Sequence, residues 1–167
     1  MNARRTGKRV TKAEFEVISP SPLKTQRLGT RLGELAQPGD IFLLSGNLGA
    51  GKTCLTQGIA RGLGIEDYVM SPSFVIAREL YGRLPLYHID LYRLDQTGEI
   101  LDLGLDEYFY GRGLSVVEWA DKGQNILPED ALLVKIDYLG DTSRRFTFKA
   151  TGKRYRQILS RLREFRI

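Results

Sequence analysis

The sequence has one cysteine, Cys54, and one histidine, His88, among its 167 residues. A single cysteine cannot form a disulfide within the chain, and the two residues are too few for a zinc site of four Cys and His ligands. Long apolar runs are also missing: stretches such as residues 41–44 fall far short of the roughly 18 residues that a membrane-spanning helix needs. We therefore expect any metal ion to be held by oxygen, and no contact with a membrane.

A secretory signal is not evident either, because the basic residues 1–12 lack the apolar stretch that such a signal carries. We therefore predict a cytoplasmic protein. The rest of the composition, with 42% hydrophobic and 27% charged residues, is typical of a globular chain, and its length is that of one domain.

The net charge of +5 is concentrated at the two ends of the chain. Residues 1–12 have five basic and no acidic side chains, and residues 144–167 have nine basic and one acidic. The intervening residues 13–143 have 11 basic and 19 acidic side chains. Clustered Lys and Arg favour nucleic-acid phosphates or an acidic protein surface, although a solvated tail has the same composition. The sequence leaves these alternatives open.

Hydrophobic periodicity predicts helices interleaved with strands. Ser21-Pro22 is a typical helix start, and apolar residues at helical spacing follow it as far as Pro38-Gly39. Residues 41–45 are a short apolar run typical of a buried strand, and a second helix follows the glycine-rich segment after it. The other predicted elements are strands near 15–18, 74–81, 84–89, 114–117, 132–136 and 145–149, short helices within 96–111, and a C-terminal basic helix whose apolar face includes Phe165. This order, with 74–81 and 84–89 as a hairpin, predicts an α/β domain with a mixed sheet.

The glycine-rich segment matches the phosphate-loop (P-loop) pattern G-x-x-x-x-G-K-[ST], and it lies between a predicted strand and a predicted helix. Glycines let backbone N–H groups converge on phosphate oxygens, and the helix N-terminus attracts the same anion. Lys52 would reach the β- and γ-phosphates, and the Thr53 hydroxyl would take a Mg²⁺ position. The predicted residues of this nucleoside triphosphate site are Asn47, Leu48, Gly49, Ala50, Gly51, Lys52 and Thr53.

Such a site also needs a carboxylate near Mg²⁺, and Asp90 and Glu118 each end an apolar run. One could bind the ion and the other orient the attacking water, and the sequence does not assign the roles. His88 shares a strand face with Asp90, so it lies near phosphate or is a structural histidine. Trp119 covers the nucleotide or belongs to the core. No [NT]-K-x-D guanine-reading segment follows the loop, which favours ATP.

Four motifs in order resemble the TsaE (formerly YjeE) family of small bacterial ATPases needed to form threonylcarbamoyladenosine in tRNA. They are GNLGAGKT at 46–53, SPSF at 71–74, HIDLYR at 88–93 and VEW at 117–119, and the resemblance spans about residues 19–150. It implies a three-layer P-loop fold in which a parallel core is flanked by antiparallel strands. It also implies weak ATP hydrolysis alone, and action with TsaB and TsaD, which transfer threonylcarbamoyl to adenosine 37 of tRNA.

The resemblance also implies residue roles. Leu48–Thr53 would hold the phosphates, with Lys52, Asp90 and Glu118 as the catalytic residues. Thr53, Asp90 and Glu118 would surround Mg²⁺, and Trp119 would move with the nucleotide state. The segment 71–74 would be a mobile loop near the γ-phosphate, with Ser73 where the family usually has threonine, and the helix start at 21–25, including Thr25, would lie near the adenine.

We therefore predict a basic arm at residues 1–12, a P-loop ATPase domain at 13–150, and a basic amphipathic helix at 151–167 packed on that domain. Contact with tRNA would be indirect through the complex, or direct through the basic ends. Two other functions remain open. A small-molecule kinase would need a lid with arginines, and residues 95–113 offer only Arg112. A nucleotide-gated RNA-binding module would bind RNA tightly by itself.

Overall fold

The computed structural model describes residues 13–72, 76–123 and 125–167, so the predicted basic arm lies outside the described residues. The described chain forms one sheet with helices on both faces. Its elements, in chain order, are β1 (Ala13–Ser19), α1 (Pro22–Leu35), β2 (Ile41–Ser45), α2 (Lys52–Gly62), β3 (Ala77–Tyr81), β4 (Pro85–Asp90), α3 (Thr97–Leu101), α4 (Asp106–Phe109), β5 (Leu114–Glu118), a 3₁₀ turn (Ala120–Gly123), β6 (Leu132–Tyr138), β7 (Arg144–Ala150) and α5 (Lys153–Arg163).

The sheet has the strand order β1-β7-β6-β2-β5-β4-β3. Strands β6, β2, β5 and β4 are parallel neighbours. At the two edges, β7, β1 and β3 each pair antiparallel with the strand before them in the sheet: β7 with β6, β1 with β7, and β3 with β4. This arrangement confirms the predicted mixed sheet with a parallel core. It also brings the carboxyl ends of β2, β4 and β5 to one edge, where α/β proteins bind ligands.

Helices α1, α2 and α5 pack on one face of the sheet and share its larger hydrophobic core. The second core, on the other face, includes α3, α4 and the 3₁₀ turn. Strand β2 is buried on both faces, because Phe42 and Leu44 point into the first core while Ile41 and Leu43 point into the second. The result is a three-layer structure. No helix of the described residues has the length and apolar character needed to cross a membrane.

The local signals for α1 and for the hairpin are confirmed. Ser21 is the N-cap of α1, where its hydroxyl accepts a hydrogen bond from the Lys24 N–H, and Pro22 is the first helical residue. Strands β3 and β4 pair in antiparallel register. The predicted start of β3 is wrong, since the strand begins at Ala77. Ile76 turns the chain just before it with φ +68°, a conformation that a strand cannot contain.

Polar contacts fasten α5 to the rest of the domain. The Tyr155 hydroxyl accepts a hydrogen bond of 2.9 Å from the Ile41 N–H, and Arg154 forms a 2.7 Å ion pair with the buried Asp40. Arg163 donates to the Glu14 carbonyl across the end of β1. Part of the C-terminal basic charge therefore stabilises the fold.

The predicted place of Phe165 on the apolar face of α5 is wrong. The helix ends at Arg163, and Phe165 lies in the following turn, where its N–H donates to the Leu162 carbonyl. The last carbonyls of a helix need such partners, and a tight closing turn supplies one of them. The buried face of the helix consists instead of Tyr155, Ile158, Leu159 and Leu162.

Glycines let α1 and α2 touch through their backbones. A methyl group on Gly29 would lie 2.3 Å from the Leu55 carbonyl oxygen, and one on Gly58 would lie 2.2 Å from that of Gln26. Gly33 and Gly62 face the partner helix in the same way. Because the opposing atoms belong to backbones that the helices hold in place, they cannot move aside as side chains would.

We expect Gly58→Ala to destabilise the protein by about 1–3 kcal/mol through overpacking, although alanine normally favours a helix interior over glycine by up to about 1 kcal/mol. Gly98→Ala is the matched control, because Gly98 is in α3 and a Cβ there would meet no heavy atom within 4 Å apart from those of its chain neighbours and its own helix backbone. Urea denaturation measures both variants. Equal or greater stability of Gly58→Ala would contradict the backbone contact.

Candidate functional site

The loop between β2 and α2 holds the P-loop motif at the carboxyl edge of the sheet. Gly49 and Gly51 have φ values of +75° and +115°, which residues other than glycine rarely adopt. Gly51 is the N-cap of α2 and offers no side chain to the first turn. The N–H groups of that turn are therefore available to an anion, which the helix dipole also favours.

Lys52 is buried beside this loop, with 5% of its surface exposed. Its Nζ donates hydrogen bonds to the carbonyl oxygens of Gly46 and Asn47 and lies 4.0 Å from the ring centroid of Trp119. Burial lowers the pKa of Lys52, while the carboxylates of Glu118 and others nearby partly oppose that effect. The ammonium group is therefore held by two carbonyl groups of the loop itself.

Glu118 is the last residue of β5, and only 2% of its surface is exposed. The Thr53 hydroxyl lies 3.1 and 3.2 Å from its two oxygens, and the Thr56 hydroxyl lies 3.4 Å from Oε1. Nε2 of the fully buried His88 is 2.8 Å from the same Oε1. A buried carboxylate needs such partners, because removing it from water without them is costly.

Asp90 ends β4 directly beside Glu118, with which it pairs across the parallel strands. Its Oδ1 accepts a hydrogen bond from the Tyr92 N–H, and its Oδ2 accepts one from the Ser71 hydroxyl at 2.5 Å. The two acids that end strands are therefore neighbours, and Asp90 is connected to the segment that precedes β3.

Trp119 follows Glu118 in the left-handed region, with φ +58°. Few residues other than glycine adopt this conformation, and strain of this kind is concentrated at functional sites. The indole packs on Tyr92 at 4.9 Å between ring centroids and faces the Lys52 ammonium. It lies beside the P-loop and, at the same time, at the edge of the second core.

A cavity of about 440 Å³ joins these residues. It is lined by Leu48, Gly49, Gly51, Lys52, Thr53, Cys54, Ser71, Asp90, Tyr92, Arg93, Glu118 and Trp119. A larger depression, about 830 Å³, lies over the polar face of β1, β7 and β6, where residues such as Glu16 and Lys149 line it. We place the site in the smaller cavity because the P-loop and both strand-end acids meet there.

Three of the predicted site residues, Thr25, Asn47 and Ala50, do not line this cavity. Thr25 is buried between β1 and α1, where its hydroxyl is 2.8 Å from that of Ser19, and it does not line the cavity. The side chain of Ala50 is fully buried, and Asn47 is exposed at the loop surface. Ser73 lies outside the described residues.

Two further residues contact the loop without having been predicted. The Tyr138 hydroxyl lies 3.3 Å from the Leu48 carbonyl oxygen, and Arg144 Nε donates to that of Ala50 at 2.9 Å. Both lie about 90 residues further along the chain, in β6 and β7. No local sequence signal distinguishes them from other residues at strand ends.

The oxygen groups around Thr53 fit a magnesium ion. Mg²⁺ usually takes only one or two protein carboxylates and completes its shell with water and phosphate oxygens. Here a threonine hydroxyl and a buried carboxylate are in contact beside the phosphate loop, with a second carboxylate on the next strand. Among the described residues there is no cluster of three or more His, Cys, Asp and Glu side chains suited to a metal held by protein alone.

Comparison with known proteins connects this site to one family. Residues 19–146 match the family model described as threonylcarbamoyl adenosine biosynthesis protein TsaE. The tRNA threonylcarbamoyladenosine biosynthesis protein TsaE of Bacillus subtilis is 46% identical over 143 residues, which cover 85% of this chain and 89% of that protein. The protein of the same name from Treponema pallidum is 40% identical over 78% of this chain and 96% of its own.

The crystal structure of Bacillus subtilis YdiB superposes on this fold with a TM-score of 0.81 and 39% sequence identity, over 92% of this chain and 97% of that one. The family match covers the P-loop, both strand-end acids and every strand of the parallel core. The chain belongs to the TsaE family and has its P-loop NTPase-like fold, which places it in the biosynthesis of threonylcarbamoyladenosine in tRNA.

Proposed function

We propose that the chain binds ATP with Mg²⁺ and hydrolyses it slowly, and that this ATPase cycle supports threonylcarbamoyladenosine formation by TsaB and TsaD. The observation that carries the proposal is the contact between Thr53 and Glu118 beside the buried Lys52, in one cavity at the P-loop. This set provides a phosphate cradle, a cation and oxygen ligands for a divalent ion. Family membership supports the pathway, and the resemblance described above suggests TsaB and TsaD as the partners.

The proposed binding step uses the loop amides and Lys52. The N–H groups of the loop and of the first turn of α2 bind phosphate oxygens, and Lys52 moves from the carbonyls of Gly46 and Asn47 to the β- and γ-phosphates. Thr53 and Glu118, already in contact, would hold Mg²⁺, which supplies charge stabilisation at the phosphates when bound.

The proposed chemical step is in-line attack of water on the γ-phosphate, with Asp90 orienting the water. Asp90 suits this role because its carboxylate lies next to Glu118 and is held by Ser71 and the Tyr92 N–H. Such positioning gives little rate enhancement without further charge stabilisation. Slow turnover by the isolated chain is therefore expected, and a partner would complete the site.

A kinase fits the fold less well. The segment that would have to serve as a lid, residues 95–113, forms α3 and α4, and its Ile100, Leu105 and Phe109 are buried in the second core. None of its residues lines the P-loop cavity. The segment is therefore fixed to the sheet, whereas a lid has to open and close over its substrate.

Release of phosphate from Mg-ATP by the purified chain, alone and then with TsaB, TsaD and tRNA, tests the proposal. We expect slow release by the chain alone and stimulation only by the complete assembly. If a metabolite is phosphorylated instead, or if the chain alone retains RNA while the assembly has no effect, the proposed function is wrong.

Lys52→Ala should weaken ATP binding by about tenfold or more, because a charged contact to the phosphates is lost. Trp119, the single tryptophan, reports the same event, since Lys52 leaves the indole ring when nucleotide binds. We expect ATP to change the fluorescence of the wild-type protein but have little effect on that of the variant.

Lys122→Ala is the control, because the Lys122 ammonium contacts the neighbouring Tyr92 but lies outside the loop. An equal response of Lys52→Ala and wild type would remove Lys52 from the site.

Glu118→Gln should retain ATP binding but reduce turnover by about 100-fold or more, because the side chain keeps its shape and loses the charge that holds the metal ion. Asp40→Asn is a matched control, since Asp40 is a similarly buried carboxylate that pairs with Arg154 away from the cavity. Single-turnover assays with saturating ATP separate a loss of ATP binding from a loss of turnover. If both variants lose turnover equally, general destabilisation explains the loss.

A further inference from the structure

The carbonyl groups of the P-loop are held by donors on two sides. Within the motif, Lys52 Nζ donates to the carbonyls of Gly46 and Asn47. From the neighbouring strands β6 and β7, Tyr138 and Arg144 contact two other carbonyls of the loop. The second pair has no part in the binding of phosphate proposed above.

These two contacts involve alternate peptide units. The Tyr138 hydroxyl donates to the Leu48 carbonyl at 3.3 Å, and Arg144 Nε donates to the Ala50 carbonyl at 2.9 Å. In a trans peptide the N–H of the next residue points opposite to the carbonyl. Holding the carbonyls of residues 48 and 50 on one side of the loop therefore directs the N–H groups of Gly49 and Gly51 to the other side.

Both of these peptide units end in glycine, which makes their orientation easy to lose. A peptide flips when ψ of one residue and φ of the next change together, and glycine accepts nearly every φ. Gly49 and Gly51 already have φ values of +75° and +115°. Without an external donor, a flipped unit would present a carbonyl oxygen to the space that a phosphate must occupy.

The two donors are themselves fixed in place. The Arg144 guanidinium lies 4.1 Å from the ring centroid of Tyr138 and also donates to the carbonyls of Gly140 and Ser143, at 2.8 and 2.9 Å. The Tyr138 hydroxyl approaches Gly49 so closely that a Cβ there would lie 2.7 Å from it. One arginine therefore joins the β6–β7 turn to the loop.

We propose that Arg144 and Tyr138 are positioning residues that keep the Leu48–Gly49 and Ala50–Gly51 peptide units oriented for phosphate binding. They act through the loop backbone and do not touch the nucleotide. This role rests on the proposed function, because it takes the loop conformation that Arg144 and Tyr138 hold to be the one that binds phosphate. It makes the β6–β7 hairpin part of the nucleotide site.

Nucleotide affinity of the full chain is the first test. We expect Arg144→Ala to weaken Mg-ATP and inorganic pyrophosphate by about ten- to hundredfold, and Tyr138→Phe, which loses only the hydroxyl, by about two- to tenfold. Arg83→Ala is the matched control, because Arg83 also donates to backbone carbonyls, those of Gly33 and Ala36, at the end of α1. This control should lose stability and bind both ligands as the wild type does.

Hydrogen exchange of the nucleotide-free protein is the second test. Exchange of residues 46–54 should be faster in Arg144→Ala and Tyr138→Phe than in the wild type, and unchanged in Arg83→Ala. The proposal is overturned if Arg144→Ala loses stability as Arg83→Ala does but keeps wild-type affinity and wild-type exchange in this segment. If the wild-type chain does not bind Mg-ATP, the proposed function fails, while the exchange comparison still supports or overturns the positioning role.

Discussion

The buried carboxylate of Glu118 connects the elements on which the site depends. It ends β5, accepts hydrogen bonds from α2 through Thr53 and Thr56, and contacts β4 through His88. A carboxylate this deeply buried is tolerated only when its oxygens are satisfied, so the strands and the P-loop helix must meet in this one arrangement. The same requirement brings Lys52 and Asp90 near it, because both lie on elements that Glu118 holds together.

Much of the fold could be predicted from the sequence because its signals are local. Helix α1 starts where Ser21-Pro22 predicts it, and the β3–β4 hairpin has the predicted antiparallel pairing. Errors arose at element ends. Phe165 fits the helical spacing but lies past the end of α5, since a periodic pattern does not tell where the last turn closes. Likewise, Ile76 has a left-handed conformation before β3 although it is not a glycine, and its backbone is hydrogen-bonded to Pro72 and to Asp90, which no local sequence pattern predicts.

The residues of the candidate site likewise include some that have a local sequence signal and some that have none. Residues within one motif, such as Lys52 and Thr53, and the acids that end strands could be found because strand ends of a parallel sheet converge. Thr25 was placed near the adenine by resemblance; in the structure its side chain is buried beside Ser19 and does not line the P-loop cavity, so its role stays a prediction. Tyr138 and Arg144 could not be found, because only the pairing of β6 with β2 and β7 carries them to the loop, and that pairing has no local signature.

The backbone contact between α1 and α2 has a mechanical consequence. Helices that contact each other through side chains can shift as the rotamers change. Helices that contact each other through glycines and backbone carbonyls cannot adjust in this way. We therefore expect α2, which starts at the P-loop, and α1 to move together. A displacement of α2 would also displace α1, which has exposed residues such as Leu23 on its outer side. A neighbouring protein in contact with α1 could therefore respond to a shift of α2 without approaching the cavity.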